Sequence, residues 1–175
     1  MAKQFEERQF NIPKLNGISE KTIEEHLKLY SGYVKNANEM LASGQFERRF
    51  PFEFNGMRNH EVYFAHFESG PQPLSSESAL AKAGLNLERF KAMALTRGIG
   101  WAIVYYDPRI KQLLNAWVDE HHLGQLVGLS PILVLDMWEH AYFIDYTPGE
   151  KKKYVEAFFG NLNWQNVERN FADAI

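Results

Sequence analysis

The sequence predicts an α+β protein, and three observations carry that prediction. The first half has helical periodicity, with an apolar pattern over 22–41 and an aromatic stripe of His60, Tyr63, Phe64 and Phe67 at i, i+3, i+4 and i+7. From Gly98 onward the pattern changes to short apolar runs bounded by turn residues, as strands require. Between the two lies 70–78, with Pro71, Pro73 and three serines, which reads as the clearest linker in the chain. The expected organisation is an N-terminal helical domain over 1–72 and a C-terminal domain over 73–175.

The elements follow in order. Residues 1–16 read as extended, with a turn at Asn16-Gly17, and Ser19 is placed to cap a long helix over 22–41 that stops before Gly44. Within it His26, Tyr30 and Tyr33 stand at i, i+4 and i+7; at about 100° per residue, i+7 returns to within about 20° of i. Gly32 costs that helix about 1 kcal/mol against Ala, which suggests close packing or a backbone irregularity nearby. Residues 44–56 read as a basic, aromatic connector, with a second helix beginning near Asn55. Residues 79–95 read as one or two short helices broken at Gly84 and Asn86. Strands are expected over 98–107 and 111–119, joined as a hairpin at Asp107-Pro108, and a third over 132–136. Residues 138–146 read as helical up to the break at Thr147-Pro148-Gly149, and two amphipathic helices over 151–160 and 164–171 close the chain.

Composition narrows the function. With 45% hydrophobic, 23% charged and 14% aromatic residues, the 175-residue chain can bury a substantial core. A net charge of -3 offers no basic face for nucleic acid, and no apolar run is long enough to span a bilayer. The polar opening residues do not read as a signal peptide, so the cytoplasm is the expected location. Without cysteine, any metal must be held by His, Asp or Glu.

The strongest chemical signal is the apolar strand ending in Asp136, followed by Trp138, Glu139 and His140. A buried, unpaired carboxylate demands a cation or several N–H donors. It could serve as a metal ligand with His140, or simply cap the segment after it. Two or three imidazoles with one carboxylate suit iron or manganese, while zinc is a chemical alternative. His60 inside an aromatic stripe is either hydrogen-bonded or coordinating. His26, alone on its helix, reads by itself more readily as structural than as a ligand.

The segment Asp136-Met137-Trp138-Glu139-His140-Ala141-Tyr142 resembles a signature of the iron/manganese superoxide dismutase family, and the similarity extends over nearly the whole chain. The start of the helix carrying His26, the stretch from Asn55 to Phe64, the first strand and Asn163-Trp164 all match in kind. The resemblance implies an N-terminal helical hairpin followed by a three-stranded antiparallel sheet with flanking helices. One iron or manganese ion per subunit would be held by His26, His60, Asp136 and His140. It further implies that Tyr33 lines the substrate channel, that Phe64, Trp101 and Trp138 wall the pocket, and that His121, rather than His122, hydrogen-bonds metal-bound solvent from the strand side. Glu139 would bridge to a second subunit in a homodimer, with tetramers as a further assembly, and the substrate would be superoxide. The run Lys151-Lys152-Lys153 falls near the family's basic channel residue.

Departures from the family pattern sharpen these expectations. Tyr33 is seven residues after His26, where the family has eight. Loss of the extra residue predicts a regular α-helix, without a π-bulge, that keeps His26 rather than Glu25 at the metal. The polar pair that joins subunits in many members is replaced by Tyr30 or Leu29 and Phe143, which makes the expected contact more apolar. Phe64 replaces a Trp, and 70–97 is short. Two alternatives remain: a non-catalytic relative that binds metal or a partner, and a zinc-dependent hydrolase, which would lack an evident general base.

Overall fold

The computed structural model describes residues 3–44 and 46–175. Met1 and Ala2 of the extended start, and Gln45 of the connector, lie outside the described residues. Residues 3–15 form a strap without helix or strand that is pinned to Asn38 and Tyr30 and, farther along, to Ser69. Phe5 N–H donates to Asn38 Oδ1 at 2.7 Å, Arg8 N–H to Tyr30 Oη at 2.8 Å, and Ser69 N–H to the Asn11 carbonyl at 3.2 Å.

Helix α1 spans Glu20–Ser43 and begins where the sequence places its cap: the Ser19 hydroxyl accepts from Thr22 N–H at 3.1 Å, and left-handed Gly44 closes the far end. It is α-helical at every residue, with no π-bulge, and buries Thr22, His26, Tyr30, Val34 and Ala37 along one stripe. Glu25 is exposed and pairs with Lys28. The close packing suggested by Gly32 is absent, because a Cβ there would meet nothing within 4 Å. Helix α2, Arg49–Ala65, starts six residues before the expected Asn55. Pro51, which reads as part of a connector, falls in its first turn, where a missing N–H needs no helical partner. Helices α3 (Ala79–Lys82) and α4 (Leu87–Ala94) are two short pieces capped by Ser78 and Asn86.

Strands β1 (Gly100–Asp107), β2 (Gln112–Asp119) and β3 (Ser130–Asp136) form one antiparallel sheet in the order β2-β1-β3. The central strand is buried on both faces, and its register sets Trp101 opposite Asp136 and Val118. Beyond β3 the expected helix over 138–146 is absent: Glu139–Ala141 make one turn of 3₁₀ helix, followed by turns to Tyr146. Asp136 diverts the chain, because its Oδ1 accepts Trp138 N–H at 2.8 Å and Trp138 stays extended. A second 3₁₀ turn at Pro148–Glu150 leads into α5, Lys151–Asn161, and α6 is Trp164–Ala172. Helices α2 and α6 pack on β3, and α4 packs on β1.

The imidazole of His66 is buried between α2 and the sheet, and burial pushes it down to about 3 from its ordinary value near 6.5. Between these values the unfolded ring carries a proton that the folded ring refuses, so stability rises with pH across that window. Melting temperatures of metal-free protein should therefore fall on acidification below about pH 6.5, and His66→Gln should reduce that slope. Removing the α1 cap with Ser19→Ala should cost about 1 kcal/mol, visible as a drop of about 2–4 °C in the melt.

Candidate metal centre

Four side chains from four elements meet at the junction of the helical hairpin and the sheet. Helix α1 supplies His26, α2 supplies His60, the end of β3 supplies Asp136, and the 3₁₀ turn supplies His140. One donor atom from each lies within 4.8 Å of all the others. His26 Nε2 and His140 Nε2 are 3.1 and 3.2 Å from Asp136 Oδ2, and His60 Nε2 is 3.6 Å from it. His26, His60 and Asp136 are fully buried, whereas the His140 side chain retains 21% exposure.

The hydrogen-bond pattern tests whether this cluster suits a metal. His60 Nδ1 lies 2.6 Å from the Gly56 carbonyl, which can only accept, so Nδ1 carries the proton and Nε2 presents a lone pair. That Nε2 is buried and has no hydrogen-bond partner among the described residues, and it faces the Asp136 carboxylate, another acceptor, at 3.6 Å. Two buried acceptors facing each other form an arrangement that a bound cation would satisfy. Burial depresses His60 well below its ordinary value and His26 to a lesser extent, so both rings are neutral, as ligands must be. Burial pushes the Asp136 carboxyl up, but the adjoining His140 and His26 imidazoles outweigh it and hold Asp136 ionised. Three imidazole nitrogens and one carboxylate oxygen fit iron or manganese.

Comparison with known proteins gives the same reading. The description "Iron/manganese superoxide dismutases, C-terminal domain" matches residues 84–170. An iron superoxide dismutase of Cupriavidus metallidurans is 34% identical, with 93% of this chain and 92% of that protein covered. One of Aquifex aeolicus is 33% identical over 92% of this chain and 87% of its own. A manganese/iron enzyme of Aeropyrum pernix is 28% identical over 96% and 93% respectively. The chain belongs to the iron/manganese superoxide dismutase family.

Around the four donors stands an aromatic shell that includes every other site residue the resemblance implies except Glu139. The Phe64 ring is 4.9 Å from His26, Trp101 is 4.9 Å from His60, and Trp138 stacks on His140 at 5.7 Å. Tyr33 stacks on His60 at 5.1 Å, and its hydroxyl is 2.7 Å from His121 Nε2. The Trp101 indole N–H, a donor only, reaches His121 Nδ1 at 2.9 Å. His121 Nδ1 must therefore accept, and the proton sits on Nε2, from which it is donated to the Tyr33 oxygen. Burial pushes His121 down to about 4, so it stays neutral, and burial raises the Tyr33 hydroxyl well above its ordinary value, with Asp136 adding to the effect. Tyr33 thus keeps its own proton free to donate. His122 points elsewhere, with Nδ1 3.8 Å from Glu120 Oε2, and Glu139 is exposed.

Other contributors escape sequence reading. Phe52 lies 4.5 Å from His121 and 6.1 Å from Tyr33. Gln125 accepts from the Tyr105 hydroxyl and donates to the His121 carbonyl at 3.0 Å and to Asn59 Oδ1 at 3.3 Å, holding the loop that carries His121. Glu120, left-handed at φ 51, turns its carbonyl to the Trp138 indole N–H at 3.1 Å. Only the i, i+4 spacing of Gly56 and His60 could have signalled the carbonyl that orients the His60 ring. In the lysine run, Lys151 donates to the Thr96 carbonyl at 2.8 Å and lies over Trp117, and Lys153 pairs with Glu150.

Gly56 also makes room for Tyr33, since a Cβ there would lie 2.8 Å from its ring. Gly→Ala inside a helix ordinarily stabilises by about 0.5–1 kcal/mol. Gly32→Ala should show that gain as a higher melting temperature. Gly56→Ala should instead lower it, because the Tyr33 ring must move away from His121.

Proposed function

We propose that this protein is a superoxide dismutase. It converts two superoxide anions and two protons into one dioxygen and one hydrogen peroxide. The observation that carries this reading is the buried, unpartnered lone pair of His60 facing Asp136 within a four-donor cluster, in a chain of this family. The enzyme uses iron or manganese, which supplies one-electron redox chemistry between the +3 and +2 states when bound.

His26, His60, Asp136 and His140 are the proposed ligands, and the chain's other residues bind, shield and deliver protons. Trp101, Trp138 and Phe64 exclude bulk water and leave room for a small anion. Tyr33 lines the approach and holds a donatable proton at Oη, because His121 Nε2–H already occupies an oxygen lone pair. Trp101 sets that direction by fixing the His121 tautomer. A single N–H at His121 has to serve both Tyr33 and any solvent beside it, a constraint that a glutamine amide with two hydrogens would lack.

We also propose a homodimer. The support is the exposed Glu139 next to half-open His140, flanked by exposed Phe143 at 41% and Ile144 at 46%, with Leu29 at 41% on α1. Sedimentation should give twice the chain mass. Residues 1–72 and 73–175 are proposed as two lobes that share the metal, each contributing two donors. No helix among the described residues is long and apolar enough to cross a membrane, and the cytoplasm is our proposed location.

Protein loaded separately with iron and manganese should bind about one ion per chain and consume superoxide with at least one of them. Replacement of His140 with Ala should abolish metal retention and activity together. Full occupancy of the wild type without turnover would favour a non-catalytic metal-binding role, and activity surviving in His140→Ala would refute the ligand assignment.

A further inference from the structure

Strand β3 is an edge of the sheet, yet its outward backbone groups are not left to solvent. The Ile132 carbonyl accepts from Asn170 Nδ2 at 3.1 Å, Val134 N–H donates to His66 Nε2 at 3.0 Å, and the Asp136 carbonyl accepts from Tyr154 Oη at 2.9 Å. Val134 and Asp136 are alternate residues of the regular part of the strand and turn these groups the same way, while Ile132 sits at the register shift between β1 and β3. Three side chains, from α6, the C-cap of α2 and α5, thus stand in for a fourth strand, and the last rung is a proposed metal ligand.

Of the three, only His66 adjoins a ligand-bearing helix: it caps the C-terminal end of α2, six residues after His60. Its ring is fully buried, and because Nε2 accepts from Val134, Nδ1 carries the proton and has no partner among the described residues. An apolar ring of similar size would fill this space without burying an unpaired N–H. What the imidazole adds is therefore the acceptor for β3. A parallel link runs from α2 through Tyr63: the Tyr154 proton goes to the Asp136 carbonyl, so the Tyr63 hydroxyl donates to Tyr154 at 3.1 Å.

We propose that His66 is a positioning residue for the metal centre: by tying the Val134 backbone to α2, it sets where Asp136 stands relative to His60. The inference rests on the metal-dependent function proposed above. It concerns ligand geometry and reaches beyond the identity of the ligands.

The test uses iron-loaded protein and two replacements that lack a comparable acceptor, His66→Phe and His66→Met. Met is flexible enough to fill the cavity if Phe does not fold. His66→Gln, which retains an acceptor at similar reach, is the rescue variant, and Asn170→Ala is the control for a lost rung remote from the ligands. His66→Phe or His66→Met should change the ferric electron paramagnetic resonance spectrum and weaken iron retention about 10-fold. His66→Gln should keep the wild-type spectrum, and Asn170→Ala should lower the melting temperature without altering it. A wild-type spectrum and wild-type iron retention in the Phe and Met variants would overturn this inference alone, as would a Gln variant as altered as they are. Wild-type protein that takes up no iron would overturn the functional reading as well.

Discussion

The architecture depends on one buried carboxylate. Asp136 sits at the end of a strand with no solvent exposure, and three imidazoles converge on it from three other elements. Such an arrangement is costly unless a cation neutralises it, and a cation held there belongs to both halves of the chain. Each donor must be delivered by an element whose own position is fixed. The contacts around the centre make sense as means to that end.

Several of these contacts cross between the N-terminal helices and the C-terminal segment. The Asp145 carboxylate accepts from Ser19 N–H at 2.8 Å and from the Thr22 hydroxyl at 2.7 Å, placing a negative charge at the start of α1 and fixing the His26 helix against the His140 segment. Tyr146 donates to the Gly17 carbonyl, and Asn161 exchanges hydrogen bonds with the Asn16 backbone at 2.8 and 2.7 Å. Asn166 reaches the Ala65 carbonyl at the end of α2 and the Glu68 carbonyl in the turn beyond it. Each link is a modest term, but together they reduce the freedom of the donors before any ion arrives. That preorganisation is what a redox centre of fixed geometry requires.

Much of the fold was legible because its signals are local. Ser19 and Gly44 bound α1 as expected, the change of period at Gly98 located the sheet, and the break at Gly84 and Asn86 separated α3 from α4. The seven-residue spacing of His26 and Tyr33 corresponds to an unbroken α-helix. The misreadings arose where a local signal had two meanings. Pro51 looked like a connector residue but occupies a first helical turn, where proline is equally at home. The stretch after Asp136 had helical spacing, but the aspartate captured the Trp138 backbone and left a single 3₁₀ turn. Gly32 and Gly56 look alike in the sequence, yet one faces open space and the other the ring of Tyr33.

By itself the sequence determined most of the element types, the order of the strands along the chain and the chemistry of the donors, because periodicity, capping and residue type act within a few residues. Only the tertiary structure decided how those donors are protonated and aimed. The Gly56 carbonyl turns His60 Nε2 toward Asp136, the Trp101 indole sets the proton of His121, and the β1–β3 register sets Trp101 opposite Asp136. Most of these are hydrogen bonds and contacts between groups far apart in the chain. Their directions follow from packing, which no local pattern encodes.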